Sequence, residues 1–353
     1  MPARVLLTSS AAGAGPASQQ RRERALLAAA GFGESHLHLS TLNGEVLAIG
    51  AFHLDPAGGA GEAASWRRSS GGRAVACGTG FLVLTLALPH RSALIADERH
   101  ALRPEQVMNR CVRGLLAWLR RQGVDPIYPG LDAVTVGRRW LAHLGFAERR
   151  DGPTLFQAIV ALDGSFAATP QLLDRLDPHG RIPARLVAAT ETTSLAVCSP
   201  RWGSIGKAEQ PGLEVLAAEL GAAYAEASGV EVAELDPAVT ELLDTVTVDD
   251  HELEVPRAIE GATVVTEQGL LGPVSAAARV SDGRIVAFAL SGDFLAPGWA
   301  VRELRARLEG QPATAAAVAA VADSVLDGSD GYLLGLQPAA ARALLARAVG
   351  IEP

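Results

Sequence analysis

Cysteine, lysine, aromatic residues and long apolar runs are all scarce in this chain of 353 residues. The three cysteines, Cys77, Cys111 and Cys198, are odd in number, widely spaced and free of any C-x-x-C. That pattern excludes a disulfide scaffold and a structural zinc knuckle and points to a reducing compartment. No run reaches the roughly 18 apolar residues that a membrane-crossing helix needs. The opening MPARVLLTSSAAGAGP is too short in apolar residues for a secretory h-region, so a cytoplasmic protein is expected. Positive charge is in deficit: the net charge is −8, which argues against a general nucleic-acid or anionic-membrane binder. Lys207 is the single lysine among 31 basic residues, so arginine carries almost every cationic role.

What is present is an apolar content of 48%, enough for a sizeable core. At about 150 residues per domain the length predicts two domains. Residues 22–30 read as a short helix ended by Gly31. The apolar runs 36–42 and 45–53 flank Asn43-Gly44, a strong hairpin signal. Further strands are expected at 73–77, 81–88, 133–136 and 155–162. Val107, Met108, Cys111, Val112, Leu115, Leu116 and Leu119 form a stripe at helical spacing over 104–122. A second long helix is expected at 213–227, and the acidic segment 229–258 is linker-like. After it come strands at 263–266, 275–280 and 284–290, with Asp282-Gly283 as a hairpin turn, then helices near 298–309, 313–325 and 338–348. Strands followed by helices predict an α+β (mixed α/β) fold, with a domain boundary near residue 258 that separates 1–258 from 259–353.

Two segments could carry chemistry. In Trp66-Arg67-Arg68-Ser69-Ser70-Gly71-Gly72-Arg73-Ala74-Val75, three arginines, two hydroxyls and adjacent glycines precede an apolar strand. Glycines let backbone N–H groups approach an anion, and guanidinium groups add permanent charge, so a carboxylate or phosphate would suit this loop. The plainer alternative is a Gly-Gly turn with solvated arginines. In the second segment, Gly137-Arg138-Arg139 follows an expected strand and either points into a cleft or caps an exposed hairpin tip. His36 and His38 alternate on a strand without ligand companions, which favours a solvated face over zinc. Cys111 belongs to a core stripe, while Cys77 and Cys198 are either packed thiols or nucleophiles. No metal site is expected.

Taken together, RRSSGGRAV (67–75), GEVLAIGAFHLDP (44–56), LDAVTVGRR (131–139), TLFQAIVALD (154–163) and DGRIVAFALSGDF (282–294) resemble the lipoate–protein ligase A family, within the biotin/lipoate ligase catalytic fold. The resemblance covers nearly the whole chain and implies a mixed sheet flanked by helices with a C-terminal accessory domain. It implies ATP-dependent activation of lipoate or octanoate as an acyl-adenylate, with magnesium. The acyl group then passes to a lysine on the lipoyl acceptor domain of a 2-oxoacid dehydrogenase acyltransferase subunit or a glycine-cleavage carrier protein. By position, Arg67, Arg68, Ser70, Gly71, Gly72, Arg73 and Ala74 would wrap lipoic acid or lipoyl-AMP, with Cys77, Asp132 and Gly137 nearby. Arg139 would stand at the family's catalytic lysine. Leu131 replaces an Asn, Ala142 a Gly, Gly145 a Gln and Cys77 the more frequent His. Two other functions are therefore weighed with ligation: a catalytically degenerate carrier or regulator that binds acyl groups or a lipoyl domain, and a cysteine-dependent octanoyltransferase.

Overall fold

The computed structural model describes residues 4–10, 15–56, 64–182, 188–204, 210–235, 255–326, 328 and 330–351. In chain order the strands are β1 (Arg4–Ser9), β2 (Ser35–Ser40), β3 (Glu45–Ile49), β4 (Ala64–Arg67), β5 (Val75–Gly78), β6 (Phe81–Leu88), β7 (Ala133–Val136), β8 (Arg139–Glu148), β9 (Thr154–Ala161), β10 (Glu231–Glu234), β11 (Thr263–Gln268), β12 (Pro273–Ser281) and β13 (Arg284–Gly292). The longer helices are α1 (Pro16–Gly31), α2 (Pro104–Arg121), α3 (Thr169–Leu176), α4 (Leu213–Ser228), α5 (Gly298–Leu308), α6 (Ala315–Val325) and α7 (Pro338–Ala348). A seven-stranded mixed sheet in the order β10-β1-β2-β6-β9-β8-β7 forms the centre. A small sheet, β4-β3-β5, covers part of one face, and β11-β12-β13 forms a separate antiparallel meander.

Helix α2 forms where the apolar stripe predicts it. Pro104 opens its first turn, and the Arg103 N–H donates to Gln106 Oε1 at 2.9 Å. Its buried face, from Val107 through Cys111 and Leu115 to Leu119, joins one core with α4 and the large sheet. Gly114 lets the two helices approach: a Cβ there would lie 2.3 Å from the Tyr224 ring. The Tyr224 hydroxyl donates to the Cys111 carbonyl at 2.8 Å in the same contact. The opposite face of the sheet, through Val83, Ile159 and Ala161, packs on β3, β5 and α3. A further core lies between β12, β13 and helices α5 to α7, and Phe52 reaches into it to stack on Phe294 at 4.5 Å.

Four expectations from the sequence need correction. Asn43-Gly44 does not close a hairpin: β2 pairs with β1 and β6, whereas β3 pairs with β4 and β5. Both runs are buried on both faces, so alternation gave no register and packing between layers chose the partners. His36 and His38 are not solvated; each is 1% exposed, because β2 is an interior strand between two layers. The strand β8 extends over ten residues that the apolar pattern does not single out, and it pairs with β7 across a turn at Gly137 (φ 53°) and Arg138 (φ 68°). The acidic stretch begins as β10, an edge strand parallel to β1, while 236–254 lies outside the described residues. By contrast, Asp282-Gly283 does join β12 to β13, with Ser281 opposite Arg284.

The α2–α4 contact gives a direct check. Gly114→Ala drives a methyl into the Tyr224 ring and is expected to lower the stability to urea by ~1–3 kcal/mol. Gly114→Ala combined with Tyr224→Ala should recover part of that overpacking cost.

Candidate functional site

The Arg/Gly segment leaves the small sheet at Arg67, the last residue of β4, and re-enters it at Val75, the first of β5. Between them the chain folds inward over the large sheet. Arg67 does not face a ligand: its Nη1 donates to the carbonyls of Gly50, Ala51 and His53 at 3.2, 3.0 and 2.7 Å, and its Nη2 to Asp55 at 2.7 Å. It braces the 50–55 turn. Arg68 is fully buried, donating to His143 Nε2 at 2.7 Å and to the Arg73 carbonyl at 2.5 Å. Arg73 forms a bidentate pair with Asp132, its Nε 2.6 Å from Oδ2, and lies 4.0 Å over the Trp140 ring. Gly72 takes φ +91°, which a side chain would strain, and its N–H donates to the Phe294 carbonyl at 2.8 Å. Gly71 has no room for a Cβ, which would sit 2.3 Å from that same carbonyl oxygen. The glycine pair therefore lets a strand end of the C-terminal unit lie directly on the loop.

The electrostatics follow from burial. Asp132 pairs directly with Arg73, Arg68 feels it and Glu23 only through space, and Arg68, Arg73 and Asp132 are at most 2% exposed. Desolvation brings Arg68 down to about 10, partly opposed by Glu23 and Asp132, so it stays charged at neutral pH. Burial, reinforced by Arg68 and Arg73, holds His143 well below the usual imidazole range. His143 is therefore neutral and accepts the Arg68 proton donor on Nε2. Among the described residues, Arg68 Nε and Arg73 Nη1 are buried N–H groups without an acceptor. Unmet donors on permanent cations are what a buried anion would satisfy.

The other sequence candidates lie around this cluster. Asp132 is inside it, Ser70 has its N–H 3.3 Å from Gln157 Oε1, and Ala74 packs in the core of the small sheet. Gly137 and Arg139 are exposed at the β7–β8 hairpin tip. Cys77 is buried, and desolvation pushes its thiol up to about 12; Cys111 is likewise buried and raised to about 12. Cys198 is half-buried and raised by the same cause. A cavity of about 370 Å³ lies between α2, the 128–131 segment and the C-terminal unit, walled by Met108, Leu131, Phe146, Leu295, Tyr332 and Leu334. Residues 67–73 are not among its walls. Two wall residues adjoin the cationic cluster nonetheless: Leu131 precedes Asp132, and Leu295 follows Phe294. Among the described residues no group of three His, Cys, Asp or Glu side chains could hold a metal ion, and no helix is long and apolar enough to cross a membrane.

No protein-family model matches the sequence, and no curated protein matches it. Solved structures do. P. falciparum LipL1, in complex with lipoate, superposes with a TM-score of 0.60 at 12% identity, over 91% of this chain and 94% of that one. The chain has the lipoate/biotin protein ligase fold. A bipartite lipoate protein ligase from Thermoplasma acidophilum, described with its E2 lipoyl domain, gives a TM-score of 0.47 at 14% identity, over 69% of this chain and 91% of that one. Lipoate-protein ligase A bound with ATP gives 0.46 at 13% identity, over 69% and 93%. The fold assignment rests on the first.

Within this ligase fold the sequence reading missed the groups that hold the loop. Glu23 on α1 accepts from the Ser69 N–H at 2.9 Å and from Gln157 Nε2 at 2.7 Å. Gln19, one turn earlier, receives the Ser40 hydroxyl at 2.8 Å, and Arg22 approaches His38 at 3.2 Å. The buried face of α1 is thus polar, and Gln19, Arg22 and Glu23 at helical spacing beside Leu26 and Leu27 were the available signal. His53 was missed as well. Its Nδ1 accepts from the Gly50 N–H at 3.1 Å, leaving Nε2–H to donate to Asp293 at 2.8 Å, both side chains fully buried.

Two measurements check this arrangement. Asp132→Asn strips the buried Arg73 of its counter-charge and should cost ~3–5 kcal/mol in denaturant unfolding. Desolvation raises Glu23 to about 7 from 4.5. The folded state therefore keeps a proton that the unfolded chain has released between those values. Stability from this group falls as pH rises through that window and levels off above it. Wild type should lose stability relative to Glu23→Gln over that range in pH-resolved melts; parallel curves would contradict the assignment.

Proposed function

We propose that this protein is an acid–protein ligase of the lipoate type, binding lipoate, octanoate or a related acid and activating it with ATP. The observation that carries this reading is the pair of buried guanidinium groups, Arg68 and Arg73, with N–H donors left unmet on a Gly-Gly loop in the lipoate/biotin ligase fold. Residues 1–258 would form the ligand-binding domain and 259–353 the accessory domain. Arg73, fixed by Asp132 and Trp140, offers its free edge to a carboxylate or phosphate oxygen, and the neutral His143 keeps the Arg68 fork in place. Preorganised donors of this kind stabilise charge that grows on an oxygen as a mixed anhydride forms, without reorganisation during the reaction. ATP would supply the adenylyl group. Magnesium has no cluster of ligands among the described residues and would arrive on the nucleotide's phosphates. The acceptor would be a lysine of a lipoyl domain, as the family resemblance implies, and a cytoplasmic location suits that partner.

Two observations favour a second reading. Arg139, at the family's lysine position, is exposed at a hairpin tip, and the Gly72 N–H is already spent on the Phe294 carbonyl. A member that binds the acid or a lipoyl domain without ligating it fits those two facts. A cysteine-dependent transferase finds little support, because Cys77 is buried with its thiol pushed up to about 12.

Lipoate- or octanoate-dependent ATP–pyrophosphate exchange tests the proposal. Wild type should exchange, Arg68→Gln should lose ~100-fold, and Arg139→Lys should raise the rate. Calorimetric binding of lipoate without exchange would select the second reading; neither binding nor exchange would overturn both.

A further inference from the structure

At its centre the loop that carries Arg68 and Arg73 keeps one main-chain bond, the Ala51 N–H donating to the Ser70 carbonyl at 2.9 Å, while its own N–H groups are met from several elements. The Arg68 N–H donates to the Ile49 carbonyl at 3.0 Å and the Gly72 N–H to the Phe294 carbonyl at 2.8 Å. Between them, the acceptors for Ser69 and Ser70 are side chains. Glu23 Oε2 takes the Ser69 N–H at 2.9 Å and Gln157 Oε1 takes the Ser70 N–H at 3.3 Å. The two acceptors are joined to each other by Gln157 Nε2 donating to Glu23 Oε1 at 2.7 Å, and both residues are fully buried. They come from elements 134 residues apart: α1, and β9 in the interior of the large sheet.

We infer that Glu23 and Gln157 act as positioning residues, a buried acid–amide clamp that fixes the backbone of Ser69 and Ser70 and so sets where Arg68 and Arg73 meet an anionic ligand. The polarity of the pair is what does this. Two backbone N–H groups point at it, and the Gln19 amide approaches Glu23 Oε1 at 3.5 Å, so it must present acceptors to all three and keep an amide N–H of Gln157 between the two side chains. A carboxylate with one amide meets that condition, and the Gln157 amide orientation is thereby fixed. Two amides cannot meet it: in Glu23→Gln, some N–H must face another N–H whichever way either amide turns. Exchanging the two side chains does meet it once Gln19 turns its amide. An amide on α1 would accept from the Ser69 N–H and donate to a carboxylate on β9, which accepts from the Ser70 N–H. It would donate its second N–H to the turned Gln19 oxygen, whose amide N–H then meets the Ser40 hydroxyl. Glu23 also lies close enough to act on the Arg68 charge, so the clamp and the cation are coupled. Fixing a ligand in this way presupposes the acid-binding role proposed above, whereas ordering the loop does not.

The experiment compares wild type, E23Q and the exchanged double variant E23Q/Q157E in the full chain. Amide hydrogen exchange of the peptide spanning 66–75 and the KM for lipoate in pyrophosphate exchange are read together, with thermal melting as the folding control. E23Q should exchange the Ser69 and Ser70 amides at least ~10-fold faster and raise the KM by ~10-fold, a single buried group left unpaired. The double variant should return both towards wild type. Unchanged amide exchange in E23Q, or fast exchange that the double variant fails to restore, would overturn the clamp. Restored amide protection with an unmoved KM would overturn its role in placing the ligand. If E23Q does not fold, the double variant alone decides: a folded protein with wild-type protection supports the clamp, and an unfolded one overturns it. Protection that follows the clamp in a protein whose wild type neither binds nor activates lipoate would remove the ligase reading and leave the clamp standing.

Discussion

Burying two guanidinium groups beside one carboxylate is the constraint on which the rest of this structure depends. Arg68 and Arg73 have lost their water, and each must find acceptors inside the protein. Asp132 supplies two to Arg73, His143 one to Arg68, and the Arg73 carbonyl another. Those partners come from the end of the 128–132 segment, from β8 and from the loop itself. The large sheet, the small sheet and the loop between β4 and β5 therefore have to assemble in one relative position. His143 can serve only as a neutral ring, and burial, reinforced by the two arginines, keeps it so by opposing its protonation.

The same constraint explains the polar underside of α1. A loop of charged and small residues cannot be supported by an apolar helix face, because its backbone N–H groups would go unpaired. Glu23 and Gln157 supply what a leucine could not, and their neighbours Gln19, Ser40, Arg22 and His38 continue a buried polar seam towards Thr8, whose hydroxyl meets His38 Nδ1 at 2.7 Å. On the other side, the loop is closed by the Phe294 carbonyl, the Phe52–Phe294 stack and the buried Asp293 carboxylate on His53. The apolar cavity beside Leu131 and Leu295 borders this arrangement without entering it.

A good deal of the fold was legible in advance. The stripe of α2, the Asp282-Gly283 hairpin and the run of C-terminal helices follow from periodicity and turn chemistry, which act within a few residues and need no partner. Runs such as 36–40 and 81–88 announced burial but not pairing. A strand covered on both faces carries the same apolar signature whichever neighbour it takes. Of the candidate site, the sequence offered a loop of arginines, hydroxyls and glycines suited to an anion, and the family resemblance put Asp132 near it; the structure brings Asp132 onto Arg73. Its division of labour was not. Arg67 braces a turn, Arg68 and Arg73 face inward, and Arg139 stays at an exposed tip.

By itself, then, the sequence determined the composition of the charged loop, the glycines that let backbone approach it, and the local elements on either side. These depend on residue chemistry and on spacing of a few positions. Only the tertiary structure decided which arginines lose their water, which carboxylate and which neutral histidine receive them, and that a helix glutamate and a strand glutamine hold the loop from beneath. Those outcomes depend on groups 46 to 134 residues apart meeting at hydrogen-bond distance, and no local pattern encodes such a meeting.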